Sequence, residues 1–140
     1  MKLYNIGITG YSGSIGRSLL KHKFKYIRFI KFKGDIRRKK ELLGWFSKNN
    51  FNAIVHLAAI VPIIVVNKSK KNAYNVNYNG TKNIVDLVEK FNIKWFFFAS
   101  TSHVYKSQKK KISEKSLIRP ISYYGKTKYL AEQYIKKKKI

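Results

Sequence analysis

Cysteine is absent from this 140-residue chain, which excludes disulfides and thiolate metal sites and fits a reducing cytoplasm. Long apolar runs are also missing. The longest, Ala53 to Val66, spans 14 residues and is interrupted by His56 and Pro62, short of the ~20 residues a helical bilayer span needs. Met1-Lys2 leads directly into the first apolar segment, with no signal core and no cleavage site. A soluble, cytoplasmic protein with no membrane partner is therefore expected. Carboxylates are scarce: six Asp and Glu stand against 31 Lys and Arg, a formal net charge of +25. The cations run along the whole chain, with clusters at 109–111 and 136–139, and Asn, Ile, Tyr and Phe are abundant beside them. A general compositional bias accounts for the charge. No nucleic-acid motif accompanies it, so nucleic acid is not expected as a partner, although a basic surface draws anionic ligands.

What is present is enough apolar residue, 44%, to build one core. A short apolar strand, Lys2 to Thr9, is followed by a loop with glycine at positions 10, 13 and 16 and then by a helix from about Ser14 to His22, with Ile15, Leu19 and Leu20 as its buried stripe. A second strand, Lys25 to Phe32, ends at Gly34-Asp35-Ile36-Arg37. A Lys-rich helix carrying Leu42, Leu43, Trp45 and Phe46 comes next. The nearly continuous apolar strand Ala53 to Leu57 reads as buried on both faces, as in parallel sheets. Polar residues 67–72 lead into a long helix with Ile84, Leu87, Val88 and Phe91 at helical spacing. Another buried strand, Ile93 to Ala99, a basic loop from Lys106 to Arg119 and a last helix from about Ser122 to Lys139 complete the chain. Strands alternating with helices predict an α/β fold, a Rossmann-like doubly wound parallel sheet in three αβα layers. No repeat, linker or domain boundary appears, so residues 1–140 read as one domain.

Several residues carry candidate chemistry. Gly10, Tyr11, Ser12, Gly13, Ser14, Ile15 and Gly16 form a loop whose backbone N–H groups meet a helix N-terminus, where a pyrophosphate binds well. A plain turn is the competing reading. Asp35 stands 19 residues past Gly16, where a carboxylate can accept hydrogen bonds from an adenosine ribose. An ordinary turn Asp is its alternative. Lys31, Lys33, Arg37 and Arg38 surround it and can accept the extra phosphate of NADP. Thr101 falls at the carboxyl end of a strand, where open α/β sheets place their sites, or else caps a loop. Tyr124 and Lys128 are four apart on a helix and so share a face. A tyrosine titrates near ~10, and a nearby ammonium favours its phenolate, so the pair is a sensible proton acceptor.

In order along the chain stand Gly10-x-x-Gly13-x-x-Gly16, Gly34-Asp35-Ile36-Arg37, His56-Leu-Ala-Ala59, Asn77-x-x-Gly80-Thr81, Ser100-Thr101-x-x-Val104-Tyr105 and Ser122-Tyr-Tyr124-Gly-Lys-Thr-Lys128. With these motifs the sequence resembles the extended short-chain dehydrogenase/reductases, the NAD-dependent epimerase/dehydratase family acting on nucleotide sugars. The resemblance implies that the three glycines cradle the pyrophosphate of NAD, with NADP open. It puts Asp35 and Ile36 on the adenine side and Leu57, Ala58 and Ala59 on the nicotinamide side, with Ser100 nearby. Asn77 would hold the geometry of the active-site helix, and Thr101, Tyr124 and Lys128 would form the catalytic triad, with Lys128 holding the ribose and lowering the tyrosine pKa. Asn77, Ser100, Tyr124 and Lys128 would thus count among the cofactor-binding residues as well. A nucleotide-sugar substrate and a homodimer through the helices around 72–91 and 122–139 are implied as well. His103 stands where some relatives hold a second acid/base group, and a solvent-facing loop histidine is the alternative. Ser102-His103 replaces the Asp-Glu that water-eliminating relatives carry after the threonine, which counts against a 4,6-dehydratase.

Two departures from the family pattern are visible. Only one strand fits between Leu20 and Asp35, so an element is shortened or lost. The family runs to about twice this length, so a cofactor-binding half without its C-terminal substrate part is expected. A non-catalytic dinucleotide-binding fragment and a dTDP-4-dehydrorhamnose-reductase-like ketoreductase stand as alternatives to an epimerase or dehydratase.

Overall fold

The computed structural model describes residues 2–138. Four strands, β1 (Tyr4–Thr9), β2 (Ile27–Lys31), β3 (Ala53–His56) and β4 (Trp95–Phe98), form one sheet in the order β2-β1-β3-β4. Every pairing is parallel, with Ile8 opposite Lys31, Thr9 opposite His56 and His56 opposite Phe98. These pairings bring the carboxyl ends of all four strands to one edge. The crossover β1–β2 runs in one direction across the sheet, whereas β2–β3 and β3–β4 run in the other. Right-handed crossovers then put helix α1 (Ser14–Lys21) on one face and α2 (Lys39–Ser47) and α5 (Thr81–Lys90) on the opposite face. The glycine loop leaves β1 where the direction reverses, the crevice in which open α/β sheets bind ligands.

The main core lies under α2 and α5, where Leu42 and Phe46 of α2 and Ile84 and Val88 of α5 meet Phe32, Ile36, Ile54 and Ile93. Residues four apart on each helix share its inward face. Trp45 extends this core against Phe51, with ring centres 4.6 Å apart. The chain between β3 and α5 is helical through α3 (Ile63–Lys68) and α4 (Lys70–Tyr74), with a break at Ser69. A wide π-helical turn, Asn75–Gly80, then joins α4 to α5. The last helix, α6 (Tyr123–Lys137), packs on α5: Tyr134 donates a hydrogen bond to Asp86, and Lys138, just past the end of α6, donates to Glu89 at 2.7 Å. Among the described residues no helix is long and apolar enough to cross a membrane.

Three sequence expectations change, and one stretch without an expectation of its own, Ile63 to Val66, is settled. Ile15 is not part of a buried stripe: it is 64% exposed at the start of α1, and Gly16 is the residue that packs inward, because the first turn of α1 rests on the glycine loop. Strand β4 is not buried on both faces: Trp95 and Phe97 are 76% and 57% exposed, since no helix of the described chain covers that side. The run Ile63-Ile-Val-Val66, read as part of an apolar stretch, starts a helix, and Pro62 stands before it as the N-cap residue. β-branched residues favour strands locally, and packing of Val66 against Ala73 and Tyr124 overrides that preference. Lys139, the expected end of the last helix, lies outside the described residues, and α6 ends at Lys137. The single strand between α1 and Asp35 is as expected.

Candidate active site

Loops leaving the strand ends enclose an open cleft of about 890 Å³. Its one wall is the glycine loop with the start of α1, Gly10 and Ser12 to Gly16. A second is the turn 34–37 after β2, and the third is the segment 57–62 after β3, with Val76 below. Gly10 has φ +69°, and a Cβ there would stand 2.6 Å from the Leu57 carbonyl carbon. A Cβ on Gly16 would stand 2.6 Å from the Gly10 carbonyl oxygen. The fold itself therefore demands glycine at 10 and 16. At Gly13 a Cβ meets only the Gly10 oxygen, at 3.3 Å, so this position faces the cleft and bare backbone is offered to it. Gly10→Ala is expected to destabilise the chain by more than the ~1–2 kcal/mol of a left-handed backbone alone, and Gly13→Ala by much less. Denaturant midpoints of the two variants check this; equal midpoints would remove the distinction.

Asp35, Ile36 and Arg37 lie at the far end of the cleft. The Asp35 carboxylate takes hydrogen bonds from Arg37 Nε and Nη2, at 2.9 and 2.6 Å, and from the Arg37 backbone N–H at 2.9 Å. Hydrogen bonding to Arg37 holds its carboxyl below the usual range. Tyr11 of the glycine loop turns away from the cleft and packs its ring near Lys31 Nζ, 5.6 Å from the ring centre.

Beneath the cleft a buried polar chain joins five elements: β1, β3, the π-helical turn, α5 and α6. The Thr81 hydroxyl donates to the Asn77 carbonyl at 2.7 Å, so it must accept from His56 Nε2 at 2.9 Å. Burial, and secondarily the charge of Lys128, push His56 down to about 3, so the ring is neutral. Its proton is then on Nε2, and Nδ1 accepts from the Thr9 hydroxyl at 2.6 Å. Thr9 Oγ1 in turn accepts the Ala58 N–H at 3.4 Å, on the cleft side. Asn77 holds both backbone groups of Ile60, accepting from its N–H at 2.7 Å and donating to its carbonyl at 3.0 Å. The Asn77 amide also donates to Thr127 at 3.2 Å, and Thr127 donates to the Tyr124 carbonyl at 2.7 Å. The π-helical turn aims Asn77 this way, in keeping with the habit of such turns to sit at functional sites.

Tyr124 stands in the first turn of α6, capped by Ser122, whose hydroxyl accepts the Gly125 N–H at 3.0 Å. Burial pushes the phenol above its ordinary value, and a hydrogen bond with Thr101 opposes that rise. Thr101 follows β4, and its hydroxyl caps the short turn Ser102–Val104 by accepting from the His103 N–H at 3.2 Å. His103 Nδ1 lies 3.1 Å from Ser122 Oγ, and its ring meets the Tyr124 ring edge-on at 6.1 Å. Lys128, only 2% exposed, rests its ammonium 3.9 Å from the centre of the Phe98 ring. Burial lowers it to about 8, against a smaller opposing effect of Glu132. Glu132 accepts a hydrogen bond from Ser100.

The structure thus brings Thr101, His103 and Tyr124 together, with Lys128 one turn further along the same helix and Ser100 beside it. It does not join Lys128 to the Tyr124 phenol: among the described residues no hydrogen bond links them, and burial outweighs the expected pull of the ammonium on the tyrosine. Thr9, Thr81, Thr127 and Ile60 were not singled out from sequence. The threonines gave a slight signal, hydroxyls at otherwise apolar or motif-bound positions whose His56 and Asn77 side-chain partners lie 25 to 50 residues away, and Ile60 gave none, since it takes part through its backbone, 17 residues from Asn77.

Comparison with known proteins gives the site a context. Residues 6–138 match the model of the NAD dependent epimerase/dehydratase family. The UDP-glucose 4-epimerase of Pisum sativum is 31% identical over 102 residues, which are 71% of this chain and 29% of that protein. The UDP-glucose 4-epimerase of Caenorhabditis elegans is 33% identical over 96 residues, 64% of this chain and 27% of that one. The match therefore spans less than a third of these curated relatives. Among solved structures, the dTDP-4-dehydrorhamnose reductase from Bacillus anthracis in complex with NADP superposes with a TM-score of 0.90 at 25% identity, over 98% of this chain and 50% of that one. The UDP-glucose 4-epimerase of Thermotoga maritima with UDP-glucose shares the fold, with a TM-score of 0.83 at 22% identity over 96% of this chain and 50% of that one.

Proposed function

The chain belongs to the NAD dependent epimerase/dehydratase family, and we propose that it carries the dinucleotide-holding and proton-handling half of an oxidoreductase that modifies nucleotide sugars. The observation that carries this reading is that the glycine-loop cleft lies beside the Tyr124–Thr101 pair at the same strand edge, linked through Ile60, which lines the cleft and packs in the cluster that holds Tyr124. The cleft fits a dinucleotide because Gly13 leaves backbone bare toward it while Gly10 and Gly16 hold the loop against β3 and α1. Ser12, Gly13, Ser14 and Ile15 would hold the pyrophosphate through backbone N–H groups at the N-terminus of α1. Leu57, Ala58 and Ala59 would line the nicotinamide side, and Asp35 and Ile36 the adenine side. A bound nicotinamide supplies the hydride donor or acceptor.

The chain's own residues handle the proton. Tyr124 takes it from, or returns it to, a sugar hydroxyl, and Thr101 hydrogen-bonds the same oxygen. Lys128, lowered to about 8, is still mostly an ammonium at neutral pH and supplies positive charge near that oxygen. Asn77 positions Tyr124 through Thr127, and His103 is anchored to the N-cap of α6, which favours a positioning role for it. The substrate class is a nucleotide sugar. A reductase-type reaction is the second reading, favoured by the TM-score of 0.90 with the Bacillus anthracis reductase.

Binding tests the shared part. NADH or NADPH added to the chain is expected to give saturable fluorescence enhancement, and absence of binding at millimolar cofactor would overturn the proposal. Conversion of UDP-glucose to its 4-epimer, against reduction of a dTDP-4-keto sugar, then separates the two readings.

A further inference from the structure

Nothing in the proton handling described above uses His56. It is the last residue of β3, and Leu57 to Ile60, which follow it, line the cleft. Its side chain is buried, with the ring stacked near Phe98 at 5.7 Å and Phe96 at 6.3 Å between ring centres. An apolar residue would fill such a place without the desolvation cost that a polar ring carries. The imidazole instead has each nitrogen engaged by a buried threonine hydroxyl, Thr9 at 2.6 Å and Thr81 at 2.9 Å.

The directions of donation follow from the far end of this chain. Thr81 gives its only hydroxyl proton to the Asn77 carbonyl, so Nε2 donates to Thr81 and Nδ1 of the neutral ring is left as an acceptor. Thr9 therefore points its proton at Nδ1, and its oxygen keeps a lone pair for the Ala58 N–H at 3.4 Å. The Leu57 N–H goes to the Thr9 carbonyl at 3.1 Å. Both amides that open this cleft wall thus end on Thr9, whose hydroxyl is oriented by His56. The Leu57–Ala58 peptide is also the seat of the glycine loop, since a Cβ on Gly10 would overlap it. Two walls of the cleft share this one peptide.

We propose that His56 is a positioning residue for the dinucleotide cleft: by accepting the Thr9 proton at Nδ1 it turns the Thr9 oxygen to the Ala58 N–H and so fixes the peptide on which the glycine loop rests. The inference rests on the dinucleotide reading above. Without an acceptor at Nδ1, the Thr9 hydroxyl is free to turn its own proton toward Ala58, and two donors then face each other. The Thr81 arm anchors the ring, and the Thr9 arm sets the cleft wall.

Nuclear magnetic resonance of the parent chain tests the first link without any substitution. His56 is expected to show a protonated Nε2 and a bare Nδ1 at neutral pH, and a protonated Nδ1 would overturn the inference. The second link is tested by titrating variants with whichever of NADH and NADPH the parent chain binds more tightly, followed by nucleotide fluorescence. His56→Leu is expected to weaken binding by about tenfold, the upper range for one hydrogen bond. In His56→Asn the amide oxygen can stand where Nδ1 stood, and most of that loss should be recovered. His56→Gln reaches toward Thr81 instead and should not recover it. Thr9→Val keeps the imidazole and should behave as His56→Leu does. Amide hydrogen exchange at Ala58, measured without nucleotide, should quicken in the three weakened variants and stay slow in His56→Asn. Thermal melts rank the same variants by stability. Affinity that simply follows stability, with His56→Asn no better than His56→Gln, or an Ala58 amide indifferent to every substitution, would overturn the positioning role and leave the dinucleotide reading intact. Absence of nucleotide binding by the parent chain would overturn that reading, while the His56 tautomer and the Ala58 exchange would still decide the link between them.

Discussion

Tyr124→Phe is expected to lower turnover of the sugar substrate by about 10²–10⁴-fold, the usual worth of a positioned acid/base group. Nucleotide affinity should barely change. The phenol oxygen is the only heavy atom removed, and its partner is Thr101, which is not among the residues that line the cleft. The fold should tolerate the loss, because Tyr124 packs its ring against Val66 and Ala73 and phenylalanine keeps that packing. The pH profile carries a sign. Burial holds the Tyr124 phenol above its ordinary value, so in the direction that removes a proton from the sugar the rate should rise with pH across the neutral and alkaline range. In the direction that returns a proton, the protonated phenol is the working form, and the rate should fall as the tyrosine ionises. The Phe variant should lose both slopes. Equal activity in the Phe variant would remove Tyr124 as the proton-transfer group.

Asn77→Ala is expected to cost about 2–5 kcal/mol of stability, from buried polar groups left without partners at about 1–3 kcal/mol each. Asn77 is fully buried and satisfies Ile60 N–H, Ile60 C=O and Thr127 Oγ1 at once. Water cannot replace those contacts without opening the joint between the segment after β3 and α6. That cost is a large part of the 5–15 kcal/mol typical of a domain. Chemical denaturation measures it. The same substitution should lower turnover at temperatures where the variant remains folded, because Thr127 and the Tyr124 carbonyl lose their fixed neighbour. A stability loss below about 0.5 kcal/mol, the range of ordinary surface changes, would show that the chain of hydrogen bonds does not hold the helix.

Much of this site was legible before any coordinates. Gly10, Gly13 and Gly16 mark a loop through local backbone requirements, and the four-residue spacing of Tyr124 and Lys128 places them on one side of a helix by periodicity alone. Leu42 with Phe46, and Ile84 with Val88, announced their helices in the same way. The misreadings share a cause. Ile15 has the chemistry of a core residue, and only the resting of α1 on the glycine loop turns it outward. Trp95 and Phe97 look buried by composition, yet burial depends on what covers the strand.

The sequence by itself determined the alternation of strands and helices, the glycine loop and the order of the motifs, because turn chemistry and hydrophobic period act over a few residues. Tertiary structure alone decided the electrostatic state of the site. Whether Asp35 is free or bound to Arg37, which nitrogen of His56 carries the proton, and whether burial or Lys128 governs Tyr124 all depend on the packed environment. Thr9, His56, Thr81, Asn77 and Thr127 meet from five separate parts of the chain. Desolvation and hydrogen bonding fall off within a few ångströms, so these properties exist only once the fold has set the distances.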